Sequence, residues 1–230
     1  MSRLDSKNRP IIADINKKSP ISEAYRTLRT NIDFSSIDHQ IQVIMVTSPG
    51  PGEGKSTTTA NLATVYAQAE KKVLVIDADL RKPTMHQTFV KTNRWGLTSV
   101  LAGQSPFAKV IAKTHIDNLD LLTSGPVPPN PSEMLSSKRL SALLEELRTQ
   151  YDVILMDTPP VLVVTDAQLI AAKSDGVLMV IDSGKVKRES ALKAKASLEL
   201  VQARMLGVVL NNVDQRRNED SYYYYYGTQE

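Results

Sequence analysis

Cysteine is absent from the 230-residue chain, which excludes a disulfide framework and thiolate metal sites and suits a reducing compartment. Long apolar runs are missing as well. None approaches the roughly eighteen residues of a membrane-spanning helix, and the opening MSRLDSKNRP has no apolar signal-peptide core. No strong excess of one charge exists: a formal net charge of +3, without a basic patch interleaved by aromatics, gives no ground for nucleic-acid binding. His39, His86 and His115 lie too far apart for metal spacing, so each is expected on the surface or in a loop. Aromatics make up only 5% of the chain, and most of its eight tyrosines crowd into one run near the end. What is present is 41% hydrophobic content, enough for a sizeable core, at a length that suits one α/β domain.

Residues 42–62, QVIMVTSPGPGEGKSTTTANL, organise the rest. A run of β-formers enters a loop carrying Gly50, Gly52, Glu53 and Gly54. Lys55, Ser56 and Thr57 then open a segment of helix-formers. Strand, glycine-rich loop, Gly-Lys-Ser and helix make a phosphate-binding P-loop. Glycines let backbone N–H groups turn around a phosphate, and the helix N-terminus adds partial positive charge. Lys55 is then expected on the β- and γ-phosphates of ATP and the Ser56 hydroxyl on Mg²⁺. The strict pattern has glycine where this chain has Pro49, so Gly50 and Gly52 are expected to supply the turn. The bland alternative, a glycine-rich turn ahead of Lys-Ser, does not explain the flanking strand and helix.

Two further strands end in carboxylates. Residues 72–79, KVLVIDAD, are apolar until Asp77 and Asp79, as in a strand buried on both faces of a parallel sheet. Two residues apart, these carboxylates point to one side of an extended chain and would flank the phosphate loop if this strand neighbours the first. Residues 152–157, DVILMD, place Asp157 after four apolar residues, the Walker B arrangement for a carboxylate near Mg²⁺. One strand-end Asp means little; three behind a P-loop form a constellation.

Along the rest of the chain, polar residues 1–19 read as a loose or docked arm. Ser19-Pro20 marks a helix start, reaching about Phe34. Glu23, Arg26 and Arg29 lie along one face of it. Spacing alone favours an exposed Glu–Arg pair over a contact surface for another subunit. Arg81-Lys82-Pro83, directly after the carboxylate pair, could meet phosphate or a partner. Helices are expected over 97–103, 136–150, 166–173 and 188–203, and strands over 119–122, 176–182 and 206–213. Leu140, Leu143, Leu144 and Leu147 make a sheet-facing stripe. The alternation predicts right-handed βαβ units in an α/β fold, a doubly wound, mostly parallel sheet flanked by helices. Residues 1–213 would form this domain. Residues 214–230 would form a flexible tail holding Tyr222, Tyr223, Tyr224, Tyr225 and Tyr226, since five consecutive side chains cannot share one core.

Taken together, TSPGPGEGKST, VIDADLRKP, VILMDTPP and the terminal tyrosine cluster resemble the bacterial tyrosine kinases, P-loop enzymes associated with capsule and exopolysaccharide synthesis. The resemblance runs from Pro20 to the tail. It implies ATP and Mg²⁺ as cofactors and transfer of phosphate to the tail tyrosines. Lys55, Asp77, Asp79 and Asp157 become the catalytic set, with Ser56, Asp79 and Asp157 holding the metal and Asp77 accepting or orienting the phenol proton; Asp77 and Asp79 could exchange these roles. Asn211 resembles a position that contacts adenine in related ATPases. The Glu23, Arg26 and Arg29 row matches the family's E-x-x-R-x-x-R element, which replaces the exposed-pair reading with a homo-oligomeric ring. A membrane-anchored modulator, supplying an activating cytoplasmic peptide to a cytoplasmic kinase, and protein substrates in polysaccharide synthesis are the implied partners. The rival is a MinD/ParA-like ATPase switch. Against it, Thr47, Ser48 and Pro49 stand where those ATPases carry an extra loop lysine, and no amphipathic membrane helix closes the chain. A tyrosine-tailed adaptor without catalysis fits poorly with the complete P-loop and carboxylate set.

Overall fold

The computed structural model describes residues 10–35 and 41–213. Residues 1–9 and 36–40, and the tyrosine tail from 214 onward, therefore lie outside the described residues, together with the flexibility expected of the tail.

Seven strands among the described residues form one sheet: β1 (Val43–Thr47), β2 (Val73–Asp77), β3 (Ala112–Lys113), β4 (Leu119–Leu122), β5 (Val153–Asp157), β6 (Gly176–Asp182) and β7 (Met205–Asn211). Their order is β3-β4-β2-β5-β1-β6-β7, parallel except for the short edge strand β3. The five residues of each of β1, β2 and β5 are all buried, because helices cover both faces. Successive side chains therefore enter opposite cores. Val43, Met45, Leu74, Ile76, Ile154 and Met156 face one core; Ile44, Val46, Val73, Val75 and Leu155 face the other.

The second core lies beneath α1 (Ile12–Ile15), α2 (Pro20–Phe34), the P-loop helix α3 (Lys55–Ala67) and α4 (Met85–Thr88). The first lies beneath α5 (Leu97–Leu101), α7 (Pro131–Ser136), α8 (Lys138–Arg148), α9 (Asp166–Ala171) and α10 (Arg188–Glu199); α6 (Phe107–Val110) packs at its margin. The leucine stripe of α8 is buried as expected. Ser137 caps α8 through its hydroxyl, so the helix expected over 136–150 begins at Lys138, and α7 precedes it where no helix was expected. The arm is docked where it is described: Ala13 is fully buried, its N–H donates to Asn61 Oδ1, and its carbonyl accepts from Gln68 Nε2.

The condition attached to Asp77 and Asp79, that their strand neighbour the first, is not met. β2 does not neighbour β1; β5 lies between them. All three strands are apolar on both faces, so hydrophobic pattern alone cannot rank their order.

Candidate active site

The inserted strand brings the carboxylates together. Asp77 pairs in register with Asp157, and Asp157 is level with Val46 at the mouth of the P-loop. Asp79 lies beyond the end of β2, yet it reaches the loop from there: its Oδ2 is 3.3 Å from Lys55 Nζ. Lys55 Nζ also lies 3.8 Å from Asp157 Oδ1 and 3.4 Å from Ser56 Oγ. Ser56 donates to Asp157 Oδ2 at 2.7 Å. One ammonium, one hydroxyl and the three predicted carboxylates thus meet at the carboxyl edge of the sheet, where open α/β sheets bind ligands.

The P-loop backbone explains its glycines. Gly52 and Gly54 take φ of 79° and 97°, in the left-handed region that a side chain resists. Gly50 does not, but it lies in the bend that leads into the turn, where a Cβ would stand 3.0 Å from Glu53 Oε1. A Cβ on Gly54 would stand 2.1 Å from Asn211 Nδ2. Asn211, expected at adenine, packs against Gly54 and donates to the Glu53 carbonyl at 3.0 Å. Glu53 Oε1 accepts from the Gly50 N–H at 2.6 Å, bracing the loop from within, and burial raises the Glu53 pKa. Helix α3 starts at Lys55 without a side-chain cap on its first N–H groups, and Thr57 lies in that first turn. Uncapped amides at a helix N-terminus suit a phosphate.

Electrostatics single out Asp77. It is fully buried; Oδ2 accepts from the N–H groups of Thr84 and Met85, and Oδ1 has no hydrogen-bond partner among the described residues. Burial, followed by the facing Asp157, pushes its pKa up to about 8. Burial works against the charge on Lys55, but Asp157, Asp79 and Asp77 more than offset this and hold its pKa above the usual value. One lysine cannot neutralise Asp79 and Asp157 together, and Asp77 beside them keeps its proton near neutral pH. The donor set of Ser56, Asp157 and Asp79, with an unsatisfied oxygen on Asp77, fits Mg²⁺ carried in with nucleotide phosphates.

Several supports gave no sequence signal of their role. Asp166, fully buried, accepts two hydrogen bonds from Arg81 and one from Ser132. That cluster pins the loop carrying Asp79, whose Oδ1 accepts from the Lys82 N–H at 3.0 Å. A cleft of about 500 Å³ lies along the outer side of the P-loop, bounded by Pro49, Glu53, Leu162, Asp182 and Lys187. The Glu23, Arg26 and Arg29 row is placed elsewhere, on α2. Arg26 pairs with Glu23 and donates to the Lys17 carbonyl; Arg29 donates to the Val65 carbonyl near the end of α3.

Comparison with known proteins agrees with this geometry. A family model described as an AAA domain matches residues 41–205. Tyrosine-protein kinase YwqD of Bacillus subtilis is 50% identical over 96% of this chain and 93% of its own length. The putative tyrosine-protein kinase CapB of Staphylococcus aureus is 40% identical over 95% and 96%. The kinase domain of the Escherichia coli tyrosine kinase ETK superimposes with a TM-score of 0.88 at 36% identity, covering 94% of this chain and 86% of that one. With its P-loop, its facing carboxylates and these relatives, the chain belongs to the bacterial tyrosine-protein kinases, a family of P-loop enzymes.

Proposed function

We propose that this kinase transfers the γ-phosphoryl group of ATP to Tyr222–Tyr226 of a neighbouring copy within a ring, and that it serves capsule or exopolysaccharide synthesis. The observation that carries the reading is the convergence of Lys55, Ser56, Asp79 and Asp157 beside a buried Asp77 whose Oδ1 is unsatisfied.

Uncapped N–H groups at the start of α3 and Lys55 would bind the phosphates. Ser56, Asp157 and Asp79 would hold Mg²⁺, which when bound neutralises charge on the phosphates. Asp77 would orient the acceptor phenol and take its proton as the tyrosine oxygen bonds to the γ-phosphorus and the bond to ADP breaks. A tyrosine hydroxyl has a pKa near 10, so a carboxylate shifted toward neutral is better matched to it than an ordinary Asp. Most of the rate would come from positioning and electrostatic stabilisation.

A membrane-anchored modulator would bring the protein to the inner face of the cell membrane and activate it through a cytoplasmic peptide. No helix among the described residues is long and apolar enough to cross a membrane by itself. Glu23, Arg26 and Arg29 would contribute to the ring. Each phosphate adds roughly −1.5 to −2 charges, so a modified tail would leave the carboxylate-lined site and loosen the assembly.

The test is purified protein with Mg²⁺ and labelled ATP, with and without the modulator peptide, read by phosphotyrosine mass spectrometry. Tail phosphate that disappears in Lys55→Met and in the five-tyrosine-to-phenylalanine variant is expected. ATP turnover without phosphotyrosine, even with the peptide, would favour the MinD/ParA-like switch.

A further inference from the structure

The two lateral edges of the sheet are finished differently. One ends in β3, an antiparallel strand of two residues, and so short an edge offers little to a passing chain. The other ends in β7, which is seven residues long and pairs, among the described residues, with β6 alone. Its sequence, MLGVVLN, contains neither a proline nor a charged side chain, the usual protections of an exposed edge. Every residue of β1, β2 and β5 is buried, whereas none of β7 is.

The two-residue period of a strand dictates what this edge displays. The Asn211 carbonyl accepts from the Ser183 N–H at 2.8 Å, so the backbone groups of Asn211 turn towards β6. Alternate residues of a strand direct their backbone groups to opposite sides, so Val209 also faces β6, while the N–H and C=O groups of Val208 and Leu210 point off the sheet. The side chains of Val208 and Leu210 share one face of the strand and are 49% and 61% exposed. Asn211 projects from the other face, where it reaches Glu53. Outward backbone groups and exposed apolar side chains therefore belong to the same two residues.

We infer that the chain's own Tyr222–Tyr226, before phosphorylation, pairs as an added antiparallel strand along β7, which shelters the tyrosines from transfer, a consequence that rests on the kinase reading above. Chain continuity selects this occupant over a second copy. β7 leads directly into the tail, and its extended course stops at Asn212, which bends with φ of 54° while its Nδ2 donates to Asp182 Oδ1 at 3.0 Å. Asparagine tolerates that left-handed turn. Residues 213–221, VDQRRNEDS, are polar after the first, and as a loop they need to cross only the roughly 4.8 Å between neighbouring strands. Tyrosine is a strong strand-former, and aromatic side chains beside aliphatic ones make favourable cross-strand pairs. Every second tyrosine then faces Val208 and Leu210. The short tether supplies an effective concentration on the order of millimolar, which another copy's edge would have to match. β2, which carries Asp77, lies four strands away, about 19 Å, so a tyrosine held on β7 does not reach it. Each phosphate would set roughly −1.5 to −2 charges against the apolar face, so a modified tail does not return.

Pairing can be read without catalysis. Two full-length chains are compared, Lys55→Met alone and Lys55→Met with Tyr222–Tyr226→Ser, and amide hydrogen exchange is followed residue by residue by NMR over a range of protein concentrations. The N–H groups of Val208 and Leu210 should exchange roughly tenfold more slowly in the chain that keeps its tyrosines, independently of concentration. Equal exchange in the two chains would overturn the pairing. Protection that grows with concentration would overturn it too and assign the edge to another copy. A kinetic arm uses the otherwise wild-type chain. Leu210→Lys puts a charge on the exposed face, and Val208→Pro removes one outward N–H without touching the β6 ladder. Each should raise the initial rate of tail phosphorylation several-fold and leave the KM for ATP unchanged; unaltered rates in both would overturn sheltering. Protection without any phosphate transfer would sustain the pairing and sink the kinase reading, and transfer without protection would do the reverse.

Discussion

Asp77→Asn should make the protein more stable while abolishing transfer to tyrosine. In the folded chain the carboxyl titrates near pH 8 because it is buried and faces Asp157, whereas in the unfolded chain it titrates near 3.9. The folded state therefore holds a proton that the unfolded state has released. Stability from this group is fully present below about pH 4 and is lost as pH rises towards 8. At about 1.4 kcal/mol per pH unit, the four-unit gap sets a ceiling of about 5 kcal/mol on the stabilisation from substitution at pH 7.5. The asparagine carbonyl can still accept from Thr84 and Met85, as Asp77 Oδ2 does. The cleanest window is pH 6.5–8. Below it His86, whose pKa burial lowers, loses stability as pH falls. The depressed carboxyls of Asp166, Asp175 and Asp182 act lower still. Across that window the parent should lose about 1–2 kcal/mol that Asp77→Asn retains. Chemical denaturation at several pH values without added nucleotide measures this. Parallel pH profiles, or an asparagine variant less stable than its parent, would refute the electrostatic account of the site.

Three other substitutions probe separate parts of the structure. Ser56→Ala removes the donor to Asp157 Oδ2 and should weaken Mg²⁺-dependent nucleotide binding by roughly 10–100-fold, with a much smaller effect in EDTA; calorimetry in both buffers distinguishes the two. Gly54→Ala places a methyl group against Asn211 Nδ2 at a φ of 97°, so nucleotide affinity should collapse. Adding Asn211→Ala should restore only part of it, because the backbone strain persists. Arg29→Ala removes the donor to the Val65 carbonyl and should lower stability by about 1–2 kcal/mol even at concentrations where the chain is monomeric. Light scattering on the same samples reads its effect on assembly, and an unchanged monomer melting temperature would leave Arg29 with no role in the fold.

Local chemistry made many of the elements legible in advance. The apolar strands ending in Asp, the Ser19-Pro20 helix start and the α8 stripe each require only neighbours in sequence. What stayed hidden depends on distant partners. Strand order is the clearest case, since β1, β2 and β5 present the same apolar pattern and differ only in which helices cross over them. α7 carried a signal that was passed over: Asn130-Pro131 followed by Glu133 places proline at the first helical position and an acid in the first turn. The docked α1 carried almost none. Its four residues are stabilised by Asn61 and Gln68 of the P-loop segment rather than by their own propensity.

The site divides along the same line, and the division has a physical cause. Lys55, Ser56 and the three carboxylates are recognisable because a phosphate and a divalent cation demand those groups at those spacings. Arg81 and Asp166 are recognisable only once their loops meet, because their ion pair makes the Asp79 loop rigid and touches neither phosphate nor phenol. Rigidity is needed there for an electrostatic reason. Asp79 and Asp157 repel one another and, together with burial, hold the proton on Asp77, and Lys55 answers only part of that charge. A loose loop would let Asp79 swing into water and relieve the repulsion. The buried salt bridge to Asp166, together with the Lys82 N–H on Asp79, keeps the carboxylate facing Lys55, so the unbalanced negative charge remains to attract Mg²⁺ with its nucleotide. Breaking that support by Arg81→Ala should therefore weaken Mg²⁺ binding and transfer together, and it should also lower fold stability, because it leaves the fully buried Asp166 carboxylate with Ser132 as its remaining side-chain donor.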